Sequence, residues 1–387
     1  MSTKVLVAMS GGVDSSVAAA LLKEQGYEVY GATMQIWPDE SKREDGCCSL
    51  TAVEDARRVC EILNIPHYVF NFKDKFRDKV IENFCAEYLC GRTPNPCIRC
   101  NQFIKFEDFM RRAKELDIEY IATGHYARIG KSKCQISNVK TNPKTKIQKF
   151  KYSLLKGRDK QKDQSYALYM MDQKTLAHTL FPIGNLTKPE VRKIAEKYKL
   201  PVAKKSESQE ICFVPDKNYT GFMEKYLSKK AKPGPIVDLT GKRLGTHKGL
   251  WSYTIGQRKG LGIAHPVPLY VIKIDVKKNQ LVVGEKKDVL QKELLASNVV
   301  FTADTSTSCL PAGTALGVRA KIRYNDTEKP ATLKVLPKGK AKVTFKSPKE
   351  AITPGQSVVF YKGQEVLGGG IIISPASSID LPSTKNP

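Results

Sequence analysis

Two cysteines in the segment NPCIRCN, Cys97 and Cys100, are the side chains of this sequence best suited to covalent chemistry. A CxxC pair can be a redox dithiol, half of a zinc site or a pair of reactive thiols. Zinc would need a second close pair of ligands, and the candidate, Cys47–Cys48, has a spacing unlike a zinc knuckle. The zinc interpretation is therefore disfavoured.

The residues around Cys97 and Cys100 indicate where the pair lies. Pro94 and Pro96 stiffen the segment, which we expect to be a loop between two helices. A thioredoxin-like pair instead starts a helix directly after a strand, so this pattern does not match. Positive charge on Arg99 and Lys105 favours the thiolate, which is the nucleophilic form of cysteine.

A third cysteine, Cys212, lies in the segment SQEICFV after Lys204 and Lys205. We expect a loop here after a helix. A buried strand over residues 211–214 is the alternative, with cysteine as a small hydrophobic side chain. The residues alone do not show whether Cys212 approaches Cys100.

A glycine turn near the start of the chain could hold a phosphate. Residues 4–8 read as a buried strand, Ser10-Gly11-Gly12 as a turn, and residues 17–23 as a helix before the next strand at 28–34. Ligands bind at such turns, at the carboxyl ends of parallel strands. The segment SGGVDSS is neither GxxxxGK[ST] nor GxGxxG. It resembles the pyrophosphate-binding loop of the ATP pyrophosphatase (PP-loop) enzymes, although Asp14 would also suit a plain helix start.

The elements that must position these residues alternate between strand and helix. Strands are predicted at 67–71 and 120–123, and helices at 74–89 and 103–116. The fold class is therefore α/β, an open parallel sheet with helices on both faces. Cys60 falls on the apolar face of a helix, and Cys85 and Cys90 are also expected to be packing residues.

The charge of the chain favours a polyanionic partner. Its 64 Lys+Arg against 39 Asp+Glu give a net charge of +25, which favours nucleic acid over an acidic membrane. Residues 131–162 hold ten lysines and Arg158, so they form either an RNA-binding insert or a solvated one. The sequence contains no run of roughly 18 apolar residues and no signal peptide, which predicts a cytoplasmic protein with reduced thiols.

The second half of the chain has a different pattern. A helix is expected at 216–231, and Trp251 and Tyr253 stand among cations in a glycine-rich stretch that suits RNA or a core. Short alternating strands with Gly and Pro turns follow and predict a small β-barrel. These strands are placed at 270–275, 280–283, 318–324, 331–336, 341–345 and 357–361.

Four segments are expected from these patterns. Residues 1–210 form the α/β domain, with the basic insert near 131–160, and residues 211–284 form a small central α+β domain. Residues 285–375 form the C-terminal β-barrel, and residues 376–387 a disordered tail.

A set of motifs in fixed order closely resembles the tRNA-specific 2-thiouridylases (the MnmA family). The motifs are AMSGGVDSS, GRTPNPCIRCN, IKF, ATGHYARI, KDQSYALY, FPIGNLTKPEVRKIA, SQEICFV, YTIGQRKGLG and TPGQSVVFY. The resemblance extends from the first strand to about Ile373. It implies that residues 1–210 are a PP-loop catalytic domain and that the central domain at 211–284 binds tRNA. It also implies the ATP-dependent 2-thiolation of the wobble uridine of tRNA.

The resemblance also implies roles for single residues. Cys100 would be the catalytic nucleophile and Cys212 the persulfide carrier, and the two would form a disulfide after sulfur has left; Asp14 is also expected in the catalytic set. ATP would contact Ala8, Met9, Ser10, Gly11, Gly12, Val13, Asp14, Ser15, Met34 and Gly124. The target base would contact Asn95, Pro96 and Cys97, and the tRNA would contact Lys162, Asp163, Gln164, Arg323 and Tyr324.

One departure from the family matters. Some relatives have an aspartate where this chain has Cys97, so a role that depends on that carboxylate does not transfer. Three thiolates, Cys97, Cys100 and Cys212, could instead hold a [4Fe–4S] cluster that delivers sulfide.

The expected partners are ATP with Mg²⁺, tRNA, and a sulfur carrier protein or cysteine desulfurase, and we expect a monomer. Two other functions stay open. One is a different PP-loop enzyme, such as a lysidine or 4-thiouridine synthase, and the other is a non-catalytic RNA-binding relative. The glycine turn disfavours the second of these, and the cysteines disfavour lysidine chemistry, which needs no thiol.

Overall fold

The computed structural model describes residues 2–36, 50–138, 142–206, 211–214, 218–302 and 311–375, with the backbone alone at residues 134–138, 142–149 and 375. In chain order the strands are β1 (Lys4–Ala8), β2 (Glu28–Gln35), β3 (His67–Asn71), β4 (Tyr120–Ala122), β5 (Ala127–Asn138), β6 (Asn142–Lys156), β7 (Thr179–Leu180), β8 (Gly234–Val237), β9 (Arg243–His247), β10 (Tyr270–Asp275), β11 (Gln280–Gly284), β12 (Leu290–Phe301), β13 (Ala315–Lys321), β14 (Lys329–Leu336), β15 (Lys340–Glu350), β16 (Ser357–Lys362) and β17 (Glu365–Pro375).

The helices are α1 (Val13–Glu24), α2 (Leu50–Ile62), α3 (Lys73–Phe76), α4 (Glu82–Leu89), α5 (Pro96–Arg99), α6 (Phe109–Glu115), α7 (Gln173–Ala177), α8 (Lys188–Lys197) and α9 (Tyr219–Leu227). Segments of π-helix at Arg77–Ile81 and Cys100–Asp108 join α3 to α4 and α5 to α6. The resulting continuous rods are here named the 73–89 helix and the 96–115 helix. No helix in the described ranges is both long enough and apolar enough to span a membrane.

The first sheet has five parallel strands in the order β3-β2-β1-β4-β7. Val5, Leu6 and Val7 of β1 have no solvent exposure, because this strand lies in the middle of the sheet. The strands that flank β1 are β2 on one side and β4 on the other. This reversal of strand order opens a crevice beside the carboxyl end of β1, where α/β folds bind ligands.

Helices cover both faces of this sheet, which confirms the predicted open parallel fold. Val17 of α1 and Val191 of α8 belong to the core on one face. Phe76, Phe84 and Phe109 belong to the larger core on the other face. Cys60 and Cys85 are buried in these two cores, as predicted for packing residues, and Cys90 is exposed at the end of α4.

A separate four-stranded sheet follows, in the order β10-β11-β8-β9, over a core that includes Ile236, Val271 and Leu281. β10 and β11 lie where strands were predicted, and they belong to this sheet, within the expected central segment 211–284, although the strand list had counted them with the barrel strands. β11 pairs in parallel with β8, with Leu281 opposite Ile236. Short alternating strands indicate sheet structure, and they do not show which sheet each strand joins.

The C-terminal barrel consists of β12 to β17, and the antiparallel pairing of β12 with β17 closes it. Its interior includes Leu294, Val343 and Phe360, all without solvent exposure. The sequence did not predict β12 and β17. In β17 the run Gly368-Gly369-Gly370 lacks the alternating side chains that identify a strand.

The lysine-rich insert forms the antiparallel hairpin of β5 and β6. Its base joins the barrel sheet, because Leu155 of β6 pairs with Glu365 of β17. The Gln173 side chain reinforces this joint by donating to the carbonyls of Tyr152 and Thr302, both at 2.7 Å. A segment that the sequence assigned to the catalytic domain is therefore part of a sheet made by the last strand of the barrel.

Candidate active site

The turn after β1 is shaped by glycine. Gly11 has a φ of +64°, and a Cβ at this position would lie 2.3 Å from the Ala52 carbonyl oxygen. At Gly12 an added Cβ would meet only the Ser10 hydroxyl, at 3.4 Å. The Ser15 hydroxyl accepts the Ser10 N–H at 3.2 Å and donates to the Gly12 carbonyl at 3.1 Å. The turn thus holds a fixed backbone shape at a helix N-terminus, an arrangement that binds phosphate.

The other residues predicted to contact ATP lie at the same edge of the sheet. A Cβ at Gly124, just after β4, would lie 2.6 Å from both the Asp14 carbonyl carbon and the Ser15 nitrogen. Met34 is half-buried near the end of β2. Because β2, β1 and β4 are neighbouring parallel strands, residues 8–15, Met34 and Gly124 share one edge. Their contacts with ATP stay predictions.

Asp14 is the centre of a buried ionic contact rather than a plain helix-start residue. Both of its carboxylate oxygens accept from Lys188 Nζ at 2.8 Å, and the Tyr126 hydroxyl donates to it at 2.7 Å. Lys188 and Tyr126 are buried. Lys188 begins α8 beside the cap residue Thr187. An ammonium group is therefore held next to the glycine turn.

A second lysine reaches the turn from the segment that leads to Cys212. Lys205 Nζ donates to the Gly11 carbonyl at 3.0 Å and to Asp55 at 2.6 Å. Arg192 supports this segment by donating to the Ala203 carbonyl at 2.7 Å. Two lysine side chains, Lys188 and Lys205, therefore contact residues of the glycine turn.

Cys97 and Cys100 lie in the first turns of the 96–115 helix, so the loop prediction was wrong. Asn95 caps this helix by accepting the Ile98 N–H at 3.3 Å, and Pro96 fits the first turn, where its missing N–H costs nothing. Two prolines in sequence suggested a loop, although proline suits a helix start. The thiols are three residues apart on one helix face, with Cys97 exposed and Cys100 half-buried.

Cys212 and Cys100 are supported by the same helix. Cys212 lies in a turn, closed by the Val214 N–H and the Ile211 carbonyl at 3.0 Å, which confirms the loop prediction. The next residue, Phe213, packs against Phe76 and Phe84, with ring centroids 5.6 and 5.2 Å apart. Both belong to the 73–89 helix.

Cys100 is connected to the 73–89 helix through the adjacent residue, Arg99. Arg99 Nε donates to the Lys79 carbonyl at 2.7 Å, and its guanidinium lies over the Phe103 ring at 4.9 Å. Burial lowers the pKa of Arg99. Cys100 and Cys212 both pack against the larger core of the catalytic domain. The two thiol segments therefore meet one helix and one core, on the same side of the parallel sheet.

The cluster alternative requires three converging thiolates. Within the part of the chain that the structure describes, no three His, Cys, Asp or Glu side chains form a group that could hold a metal ion. Cys97, Cys100 and Cys212 are all in that part. As the structure places them, these three cysteines do not form such a group. Cys47–Cys48 lie outside the described residues.

Three other titratable side chains of this domain are buried, and burial shifts their pKa values. His125, in the motif ATGHYARI, is buried and contacts the Thr123 hydroxyl through Nδ1 at 2.6 Å. Burial, and secondly Lys105, holds the pKa of His125 well below its usual range. Burial also raises the pKa of Cys60 to about 12 and that of Cys85 to about 11. These two thiols stay protonated and unreactive.

The predicted tRNA-contact residues Lys162, Asp163 and Gln164 form a tight turn. Asp163 accepts the N–H groups of Gly157 and Ser165 at 2.9 and 3.1 Å. The Gln164 side chain accepts the Tyr126 N–H at 2.9 Å. The side chains of Asp163 and Gln164 therefore shape the turn, whatever else they contact.

Arg323 and Tyr324 lie beside this turn. The Tyr324 ring meets the Tyr166 ring edge-on, with centroids 6.2 Å apart, and Lys321 Nζ lies within 5.7 Å of both rings. Arg323 donates to the carbonyls of Glu350 at 2.7 Å and Ala351 at 3.5 Å. The structure thus brings the two predicted tRNA segments together across the joint between catalytic domain and barrel.

Sequence reasoning missed three residues of this site: Lys188, Tyr126 and Gln356. Lys188 was read only as part of the motif FPIGNLTKPEVRKIA, and the structure shows its ion pair with Asp14. Tyr126 was read only as part of a motif. Gln356, in the motif TPGQ, donates to the backbone just before the cysteine pair.

The parallel sheet, the glycine turn and its two lysines define a nucleotide-binding α/β domain of the PP-loop type. Family models cover most of the chain in three parts. Residues 3–216 match the tRNA methyl transferase HUP domain, residues 220–285 its PRC-barrel domain, and residues 291–372 the aminomethyltransferase beta-barrel domain.

Full-length relatives specify the family. The tRNA-specific 2-thiouridylase MnmA of Acetivibrio thermocellus is 52% identical over 95% of this chain and 99% of its own length. Those of Moorella thermoacetica and Geobacter metallireducens are 50% and 48% identical, over 96% and 95% of this chain and 99% and 96% of their own lengths. This chain belongs to the tRNA-specific 2-thiouridylase family.

Among solved structures, a 4-thiouridine synthetase–RNA complex with bound ATP covers 58% of this chain and 50% of its own, at 15% identity. Its TM-score of 0.35 is too low to support an argument.

Proposed function

We propose that this protein replaces the C2 oxygen of the wobble uridine of tRNA by sulfur, at the expense of ATP, giving 2-thiouridine, AMP and pyrophosphate. The observation that carries the proposal is the common support of Cys100 and Cys212 beside the core of a PP-loop domain. Membership of the 2-thiouridylase family supports the same reaction. The descriptions of the matching family models mention methyl transfer. The thiols of Cys100 and Cys212, whose segments contact the same helix and core, suit sulfur chemistry instead.

The glycine turn would bind the triphosphate of ATP. The backbone at Gly11 and Gly12 allows a close approach, and the first-turn N–H groups of α1 point their positive end toward the phosphates. Lys188 and Lys205 would neutralise charge on the departing pyrophosphate. Mg²⁺ would be held mainly by phosphate oxygens, because Asp14, the carboxylate of the turn, is bound by Lys188.

The first step activates an oxygen that leaves poorly. The C2 oxygen of the uridine attacks the α-phosphorus of ATP, the bond to pyrophosphate breaks, and the base carries AMP on that oxygen. Asn95, Pro96 and Cys97, at the start of the 96–115 helix, would hold the base. A wobble uridine lies in a single-stranded loop, so it can enter a pocket at a modest unstacking cost.

Sulfur transfer then uses the two thiols. In one route, the Cys100 thiolate attacks Cys212 Sγ of the persulfide and releases hydrosulfide, which attacks C2 and expels AMP. In the other route, the terminal persulfide sulfur attacks C2 and expels AMP. Cys100 then attacks Cys212 Sγ and frees the thiolated base. Both routes leave a Cys100–Cys212 disulfide, which a dithiol must reduce by two electrons. A sulfur carrier protein or cysteine desulfurase would reload Cys212.

The hairpin of β5 and β6 would contribute to tRNA binding. Lys131 pairs with Tyr152 and Lys133 with Phe150, so these four side chains share one face. Lys131 Nζ lies 4.0 Å from the Phe150 ring centroid, and Phe150 is 48% exposed. Cations alternating with an exposed aromatic ring suit single-stranded RNA. The net charge of +25 supports this partner.

One assay tests the proposal. The purified chain is incubated with ATP, Mg²⁺, a tRNA transcript, a cysteine desulfurase with cysteine to load Cys212 with persulfide sulfur, and a dithiol to reduce the disulfide. AMP, pyrophosphate and 2-thiouridine are then measured. We expect equal amounts of all three with the wild-type chain. Cys90→Ser is a matched control, because Cys90 is an exposed cysteine of the same domain outside the site.

The other outcomes would contradict the proposal. Pyrophosphate without 2-thiouridine would indicate another PP-loop reaction on the RNA. Neither product, despite tRNA binding, would indicate a non-catalytic RNA-binding protein.

A further inference from the structure

The barrel holds the chain immediately before the cysteine pair. The clamp, defined here as residues 353–356 between β15 and β16, lies against Thr93 and Pro94. Gln356 Nε2 donates to the carbonyls of Thr93 at 3.0 Å and Pro94 at 3.3 Å. The Pro354 carbonyl accepts the Thr93 N–H at 2.9 Å. Three hydrogen bonds thus join the clamp to two successive residues.

At Gly355 the clamp lies so close to Thr93 that a side chain would not fit. Gly355 has a φ of +91°, and a Cβ there would lie 2.8 Å from the Thr93 carbonyl oxygen and 2.9 Å from its nitrogen. The clamp is also fixed within the barrel. The Gly355 N–H donates to the Ile372 carbonyl at 2.9 Å, and the Ile372 N–H donates to the Gln356 carbonyl at 2.8 Å. The clamp is therefore backed by β17.

The central domain also contacts the segment before the cysteine pair. The Thr93 hydroxyl donates to the Thr254 hydroxyl at 3.5 Å. A Cβ at Gly91 would lie 2.8 Å from Val276, just after β10. Residues 91–94 are thus enclosed by two other domains, one residue before the cap of the helix that carries both thiols.

The clamp is also linked to a predicted tRNA contact. Arg323 donates to the carbonyls of Glu350 and Ala351, at the end of β15 and the residue after it. The Thr353 hydroxyl donates to the Ala351 carbonyl at 2.9 Å. Arg323 and Thr353 thus meet at the Ala351 carbonyl, and the backbone of the clamp continues from Thr353 to the contacts with Thr93 and Pro94.

We propose that Gln356 is a positioning residue for sulfur transfer: through it, the barrel fixes the start of the helix that carries Cys97 and Cys100. The amide of Gln356 satisfies the carbonyls of Thr93 and Pro94, which sets the direction in which the chain enters the Asn95 cap. Without this donor, the first helical turn and the Cys100 thiol shift relative to the target base. The catalytic part of this inference rests on the proposed thiolation.

The test compares side chains of similar size with and without the donor. Gln356→Met keeps the volume and removes the N–H group, and Gln356→Asn keeps the amide but withdraws it by one methylene. Gln364→Met is the matched control, because Gln364 is a barrel glutamine whose side chain accepts from Arg128 instead. Thermal unfolding establishes that each variant is folded.

Two readouts separate positioning from stability and from RNA binding. Both Gln356 variants should lower kcat for 2-thiouridine by about tenfold, as expected for two lost hydrogen bonds, with KM for ATP and tRNA within about twofold. Alkylation of Cys100 by iodoacetamide, measured by peptide mass spectrometry against Cys90, should become at least about threefold faster. Gln364→Met should change neither readout.

Three results would overturn the inference. One is an unchanged kcat and unchanged Cys100 alkylation in folded Gln356→Met and Gln356→Asn. Another is a higher KM for tRNA at constant kcat, which would make Gln356 an RNA contact. The third is an equal effect of Gln364→Met. Alkylation needs no turnover, so it decides the role of Gln356 even if the wild-type chain thiolates no uridine.

Discussion

The ion pair between Asp14 and Lys188 gives the sharpest quantitative prediction. Lys188 Nζ contacts both carboxylate oxygens at 2.8 Å, and the side chains are 9% and 31% exposed for Lys188 and Asp14. Breaking a fully buried pair costs about 3–5 kcal/mol, and a hydrogen bond to a charged group contributes about 1.5–3 kcal/mol. Because Asp14 keeps some solvent and the Tyr126 hydroxyl, we expect Lys188→Met to lower the free energy of unfolding by about 2 kcal/mol.

The two single variants should differ in how much unfolding free energy they lose. Asp14→Asn leaves an ammonium group in the more buried position, so we expect a loss of about 3 kcal/mol. The double variant removes both charges, and its loss should be smaller than the sum by about 1–2 kcal/mol. Urea unfolding at neutral pH measures all four members of this cycle.

A control pair joins the same two helices. Lys197 of α8 contacts Glu24 of α1 at 3.3 Å, with both side chains at least half exposed. Lys197→Met should cost no more than about 0.5 kcal/mol. Pyrophosphate release should fall by at least about a hundredfold in Lys188→Met and stay unchanged in Lys197→Met. A coupling energy near zero, or pyrophosphate release at the wild-type rate in Lys188→Met, would refute this account of the turn.

The remaining predictions concern the thiol, the nucleotide edge, the buried histidine and the hairpin. Cys212→Ser should abolish 2-thiouridine formation and leave tRNA affinity in filter binding unchanged; normal thiolation would contradict the persulfide assignment. Gly124→Ala should weaken ATP binding by at least about tenfold in calorimetry, because the new Cβ would lie 2.6 Å from helix α1, and unchanged affinity would show that the crevice is not the ATP site. The pKa of His125 is lowered by burial, so its contribution to stability is present above the unfolded-state pKa of about 6.5 and is lost as pH falls, with a slope approaching about 1.4 kcal/mol per pH unit. His125→Gln should flatten that slope in urea titrations between about pH 7 and 5, and an equal slope would contradict its neutral burial. Replacing Lys131 and Lys133 by Gln should reduce the salt slope of tRNA binding by about 1–2, and an unchanged slope would exclude the hairpin from the RNA contact.

The catalytic fold could be predicted because its signals are local. Periodic apolar residues identified β1 and the long helix that ends at Leu89, and the glycine turn between β1 and α1 follows from two adjacent glycines. The functional roles of single residues came from the resemblance to the 2-thiouridylases, because neither the periodicity nor the spacing of residues predicts them.

The site's tertiary contacts could not be predicted in the same way. Asp14 and Lys188 stand in different helices far apart in the chain, and no periodicity relates them. The cysteine segment was read as a loop because of its two prolines, whereas in the structure Pro96 occupies the first turn of a helix that Asn95 caps. Gln356 resembles any polar residue at the start of a strand until the fold places it on Thr93.

The pairing of Leu155 with Glu365 has a consequence for how the protein is made. A ribosome synthesises β6 well before β17, so the base of β6 at Leu155 has no partner strand until most of the remaining polypeptide has been made. An unpaired edge invites association with other chains, and the charge of its lysines discourages it. Chains that end before β17 should therefore aggregate more readily than the full-length chain, because the base of the β5–β6 hairpin stays unpaired.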